Sequence, residues 1–174
     1  MSILQMIAAA FALVIVVLIV AAWRKPNPIE TTQKGADEAL KHVGEWSRWM
    51  SGIQTATIAG LVILLMKEDT ARMHQLPAEA LFFALAAFGF LGAALFFNAW
   101  VISSLPSLAI RIHADPPSDR KSVDYDIYEQ PVYAWLKSVR LGYFLAAKHW
   151  LWAGGLLAVA LFFIALMYCG AECN

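Results

Sequence analysis

Charge is scarce in this sequence. Asp, Glu, Lys and Arg make up 15% of the 174 residues, against about 25% in soluble domains. Thirteen basic residues balance thirteen acidic ones, so no long-range field gathers nucleic acid, which is excluded as a partner. Cysteine is scarcer still: Cys169 and Cys173 are the two present, both at the C-terminal end. Their C-x-x-x-C spacing is not that of a C-x-x-C redox pair, although outside the cytoplasm it allows a small-loop disulfide. There is no Cys/His or His/Glu zinc spacing, no Gly-rich phosphate loop and no G-x-S-x-G elbow. The expectation is a protein without catalytic machinery, metal or obligatory cofactor.

What the chain has in excess is long apolar runs, with 60% of its residues hydrophobic. Four of them are long enough for a helix to cross a bilayer, which takes roughly 20 residues, and predict spans at about 3–23, 47–66, 80–103 and 149–168. Trp23, Trp46, Trp49, Trp100, Trp150, Trp152 and Tyr168 lie near the run ends, where amphipathic rings favour the headgroup layer. The predicted fold is therefore an all-α integral membrane protein, one four-helix domain over 1–174, in contact with the lipid bilayer. The first run has no basic residue ahead of it and is about twice the length of a signal-peptide core, so it reads as a permanent anchor.

Arg24, Lys25, Lys34, Lys41 and Arg48 lie between the first two runs, and Arg111, Arg120, Lys121, Lys137, Arg140 and Lys148 between the last two. The middle loop carries Lys67 and Arg72. The positive-inside rule then puts segments 24–46 and 111–148 in the cytoplasm and both termini outside, in the periplasm if the membrane is a bacterial cytoplasmic (inner) membrane.

Two cytoplasmic segments look amphipathic. Asn27-Pro28-Ile29-Glu30 has the composition of a helix start. Beyond it Ala36, Ala39, Leu40, Val43, Trp46 and Met50 share one helical face, with Asp37, Glu38, Lys41, Glu45 and Arg48 on the other. After Pro131, the residues Val132, Trp135, Leu136, Val139, Tyr143 and Ala146 form a second stripe opposite Lys137, Leu141 and Lys148. Helices 2 and 4 are thus expected to extend on the cytoplasmic side, their stripes packed together as a short stalk. The polar stretch from Asp115 to Lys121 and the carboxylates Asp124, Asp126 and Glu129 read as a solvated connector, lacking the turn glycine and spacing of an EF-hand.

Inside the runs 3–23, 49–66, 80–102 and 150–168 there is no Asp, Glu, Lys, Arg or His, which argues against an ion-coupled transporter. The polar residues at depth include Gln54, Thr57 and Asn98, and small residues include Gly89, Gly92, Gly154 and Gly155. All seven are expected at helix–helix contacts. Phe82, Phe83, Phe88, Phe90, Phe96 and Phe97 surround the third run, more aromatic surface than a four-helix core encloses. His42, His113 and His149 fall near span ends, and His149 stands beside Trp150 and Trp152.

The functional expectation is an accessory or scaffold subunit that packs against itself, as a homo-oligomer, or against a larger membrane complex. Two alternatives stand beside it. One is an oligomeric pore lined by Gln54, Thr57 and Asn98. The other is a pigment or cofactor carrier in which His149 ligates haem or a chlorin.

Overall fold

A computed structural model describes residues 3–23, 33–67, 76–114, 127–133, 135 and 138–172. The described residues form four long helices, α1 (Ile3–Trp23), α2 (Gln33–Lys67), α3 (Ala78–Ala114) and α4 (Leu141–Glu172), with a single 3-10 turn at Ile127–Glu129. Each α-helix contains a stretch long and apolar enough to cross a membrane. The all-helical, four-span expectation agrees with this architecture.

The bundle is organised around α3, which packs most extensively against α4, next against α2, and also against α1; α1 touches α4 as well. One stripe of α3 explains its central place. Ala80, Ala84, Ala87, Leu91, Ala94, Asn98 and Val101 recur every three or four residues and are at most 1% exposed. Alanine at most of these positions lets neighbouring backbones come close. Of the six phenylalanines on this helix, Phe90 is buried, Phe96 is exposed, and the other four are half-buried. Phe97 meets Phe144 of α4 edge-on at 5.3 Å between ring centroids.

Helices α2 and α3 are longer than a membrane requires. Their 35 and 37 residues correspond to roughly 52 and 55 Å at 1.5 Å per residue, against a hydrocarbon core of about 30 Å. The expected stripe of α2 is largely present: Ala36, Leu40 and Met50 are buried, and Ala39 and Val43 half-buried, while Lys41, Glu45 and Arg48 are exposed. Trp46 departs from it, being exposed, and Ser47 takes its place in the buried row. The proposed cap at Asn27 to Glu30 lies outside the described residues. Helix α3 runs through Pro106 to Ala114 without ending. Proline removes one backbone donor, and in the turn before it the hydroxyls of Ser103 and Ser104 donate to the carbonyls of Trp100 and Val101 at 2.9 and 2.7 Å.

The second extension is corrected. Helix α4 begins at Leu141, and the residues described before it form a short antiparallel turn in place of a helix, with a bridge between Pro131 and Arg140. Val132 donates its N–H to Val139 O at 2.9 Å, and Leu141 donates to Gln130 O at 2.9 Å. Arg111 of α3 donates to the carbonyls of Pro131 and Val132 at 2.7 and 3.2 Å, and Arg140 pairs with Glu129. These partners occupy backbone groups that a helix through Pro131 would need. The expected faces hold only in part, since Val132 is buried as expected, but Leu141 and Lys148 from the opposite face are buried too and Trp135 is 75% exposed; Leu136 and Lys137 lie outside the described residues. The two segments nevertheless share a core, for Ala36 and Leu40 cluster with Leu108, Ile112, Ile127, Val132, Leu141 and Leu145. The connector from Asp115 to Asp126 lies outside the described residues.

Candidate functional site

Three of the four helices carry polar residues in otherwise apolar buried stripes, and one from each, Ser47, Asn98 and Lys148, meet. On α2 the buried row is Ala36, Leu40, Gly44, Ser47, Met50 and Gln54. On α3 Asn98 interrupts the alanine stripe, and on α4 Lys148 shares a face with the buried Leu141, Leu145 and Leu151. The neighbouring Phe144, also buried, closes this level of the bundle by packing its ring edge-on against Trp100 of α3, 5.3 Å between centroids.

Lys148 is 0% exposed. Its Nζ donates to Ser47 Oγ at 2.6 Å and to Asn98 Oδ1 at 3.2 Å. Asn98 in turn donates through Nδ2 to Ser47 O at 2.6 Å and to Ser51 Oγ at 2.7 Å, and Ser51 donates to Ser47 O at 3.0 Å. Asn98 thus uses both amide hydrogens and its oxygen, and the network ties α2, α3 and α4 together. The partners of Lys148 are neutral oxygens, and no ion pair joins it to a carboxylate among the described residues.

Sequence reasoning misses this lysine. It reads Lys148 as a residue on a polar flank ahead of the last run, whereas its side chain is buried inside the bundle. A signal for it exists: Leu141 and Leu145 stand seven and three residues before Lys148, and Leu151 three after, the spacing of one helical face.

The other expected site residues divide. Gly155 is buried, and a Cβ there would lie 2.6 and 2.7 Å from Leu91 Cδ2 and Cγ; one at Gly154 would meet the Phe90 ring at 3.2 Å. At Gly89 the corresponding contact is ordinary, 3.6 Å to Val14. Gly92 is exposed with nothing within 4 Å of such a Cβ, so within this chain it is not a packing residue, because it lies off the alanine stripe. Thr57 donates to Ile53 O of its own helix at 2.9 Å. Gln54 is fully buried with neither amide atom partnered. Cys169 lies within α4, and Cys173 is outside the described residues.

His149 accepts a hydrogen bond at Nε2 from Trp46 Nε1 at 3.2 Å, and its Nδ1 lies 2.6 Å from Leu145 O. With Nε2 accepting, Nδ1 carries the proton and donates, so an iron or magnesium ion at Nε2 would have to displace Trp46. His42 faces Glu45 at 3.8 Å on an exposed part of α2. No group of three His, Cys, Asp or Glu side chains among the described residues is placed to hold a metal. The chain matches no protein-family model, no characterised protein and no solved structure.

Proposed function

We propose that this chain is a non-enzymatic integral membrane subunit that assembles with further copies of itself or within a larger membrane complex. The observation that carries the reading is an open stripe on α2. Gly52, Ala56 and Gly60 recur every four residues and all are exposed, and a Cβ at Gly52 or Gly60 would meet nothing within 4 Å. Small residues at this spacing form a shallow groove into which a second helix packs at close range. Replacing Gly52 and Gly60 together by leucine fills the groove without touching this chain's own core. In gentle detergent the wild-type protein is expected to run, by native mass, as an assembly, and the Gly52→Leu/Gly60→Leu variant as a single folded chain. A monodisperse wild-type monomer without companions overturns the reading.

The alternatives gain less support. Thr57 and Asn98 are committed to hydrogen bonds within the chain and Gln54 is buried inside it, which leaves little polar lining for a pore between subunits, and both nitrogens of His149 are occupied. We further propose that the termini face outside a bacterial cytoplasmic membrane. With Lys148 removed from the count as a buried residue, nine of the remaining twelve Lys and Arg still lie in segments 24–46 and 111–148, the distribution of cytoplasmic loops. A reporter fused after Asn174 is expected to be active outside the cytoplasm, and cytosolic activity overturns the orientation.

A further inference from the structure

Trp135, in the turn before α4, is 75% exposed. A lone aromatic residue on a protein surface is ordinary, but this one has a defined place. Its ring stacks on that of Tyr133, 5.8 Å between centroids and 17° apart. The Tyr133 hydroxyl lies 2.6 Å from Ser103 Oγ, and because the single Ser103 hydroxyl hydrogen goes to Trp100 O, Tyr133 is the donor. The turn is thereby tied to α3 at two points, through Arg111 to Pro131 and Val132 and through Ser103 to Tyr133.

The polar network sets the height of Ser103. Ser47, Asn98 and Lys148 meet, which brings α2, α3 and α4 to one level, and Trp46, Trp100 and Trp150 each stand within two residues of it. Trp46 and Trp150 are exposed and Trp100 is half-buried. Tryptophans from three helices at one level mark a membrane–water boundary, where an indole keeps its body in an apolar medium and its N–H in a polar one. Ser103 stands three residues beyond Trp100, away from the apolar run of α3, or about 4.5 Å along the axis. The headgroup region on each side of a bilayer is about 5–8 Å deep. Tyr133 and the ring stacked on it are therefore held at headgroup depth. The sequence there, Tyr133-Ala134-Trp135-Leu136-Lys137, joins two rings and a leucine to a lysine and has no acidic residue, a composition suited to lying beside lipid phosphates.

We propose that Trp135, backed by Tyr133, is a lipid anchor: its indole inserts among the headgroups of the bilayer that the bundle spans and holds the turn before α4 on the membrane surface.

The test reads the native residue. Full-length protein is reconstituted in phosphatidylcholine vesicles, and the emission of Trp135→Phe is subtracted from that of the wild type, which isolates Trp135 among the seven tryptophans. Phosphatidylcholine brominated near the glycerol end of its acyl chains is expected to remove most of this component, while iodide on both sides of the bilayer removes little. A nitroxide at Trp135→Cys, in a Cys169→Ser/Cys173→Ser chain, gives a second reading. Its accessibility to oxygen relative to a water-soluble nickel chelate is expected to lie between that of Ile63→Cys, exposed on the apolar part of α2, and that of Lys41→Cys, exposed on its polar part. Emission quenched by iodide and indifferent to brominated lipid means that Trp135 faces water, and overturns the proposal. Emission shielded from both means that a protein surface covers the ring, and overturns it equally, as does a nitroxide ratio matching that of Lys41→Cys.

Discussion

Asn98→Leu is expected to destabilise the protein more than removal of the lysine that Asn98 serves. Asn98 accepts from Lys148 and holds Ser47 and Ser51 in place. Without it the ammonium stays in the interior with Ser47 Oγ as its remaining partner, and losing a hydrogen bond to a buried charge costs about 1.5–3 kcal/mol, on top of the lost contacts to Ser47 and Ser51. Lys148→Met removes the charge together with its donors and leaves a flexible apolar chain of similar length. The loss is then one of hydrogen bonds at Ser47 and Asn98, about 1–2 kcal/mol. The double variant Asn98→Leu/Lys148→Met is therefore expected to be more stable than Asn98→Leu alone. Unfolding midpoints of the four proteins in one buffer check this, since 1 kcal/mol corresponds to about 2–4 °C in a chain of this size. If the two losses simply add in the double variant, the charge is not what Asn98 supports.

The features legible in the sequence are those set by a run or a local period. The four apolar stretches are continuous, and Ala36, Leu40 and Met50 follow the helical repeat, so the helices and the buried side of α2 are open to reading. The start of α4 is not, because it depends on a distant residue: Arg111, on α3, binds the carbonyls of Pro131 and Val132. Helix α3 continues past Pro106, where a rule that treats proline as a break would end it. Lys148 is misplaced by sequence reasoning because its neighbours His149 and Trp150 suggest a membrane surface, although its place in the row Leu141, Leu145, Leu151 is that of a core residue. That Ser47 and Asn98 receive it is a pairing across three helices, which no local pattern encodes. The groove of Gly52, Ala56 and Gly60 is readable at its spacing of four, but a search for paired glycines alone passes over it because alanine holds the middle position.

Gly155→Ala is expected to be among the most damaging single-methyl additions in this chain. The added carbon would lie 2.6 Å from Leu91 Cδ2 and 2.7 Å from Cγ. The second contact decides the matter, because Cγ is the branch point of the side chain and cannot swing aside as a terminal methyl can. Leu91 is itself fully buried, and the backbone nitrogen of the same residue, at 3.4 Å, limits how far α4 can approach. Helices α3 and α4 must separate or Leu91 must leave its rotamer, at a cost of about 1–3 kcal/mol, partly offset by up to ~1 kcal/mol of helix propensity. Gly92→Ala, with open space at its Cβ, gains that propensity without the clash and is expected to match or exceed the wild type. Leu91→Ala alone opens a cavity and costs about 2–5 kcal/mol, but in Gly155→Ala/Leu91→Ala the new methyl enters space the leucine has vacated. The double variant should therefore lose less than the sum of its parts, by unfolding midpoint. A Gly155→Ala protein as stable as Gly92→Ala would mean that the two helices are not held at the separation that this leucine defines.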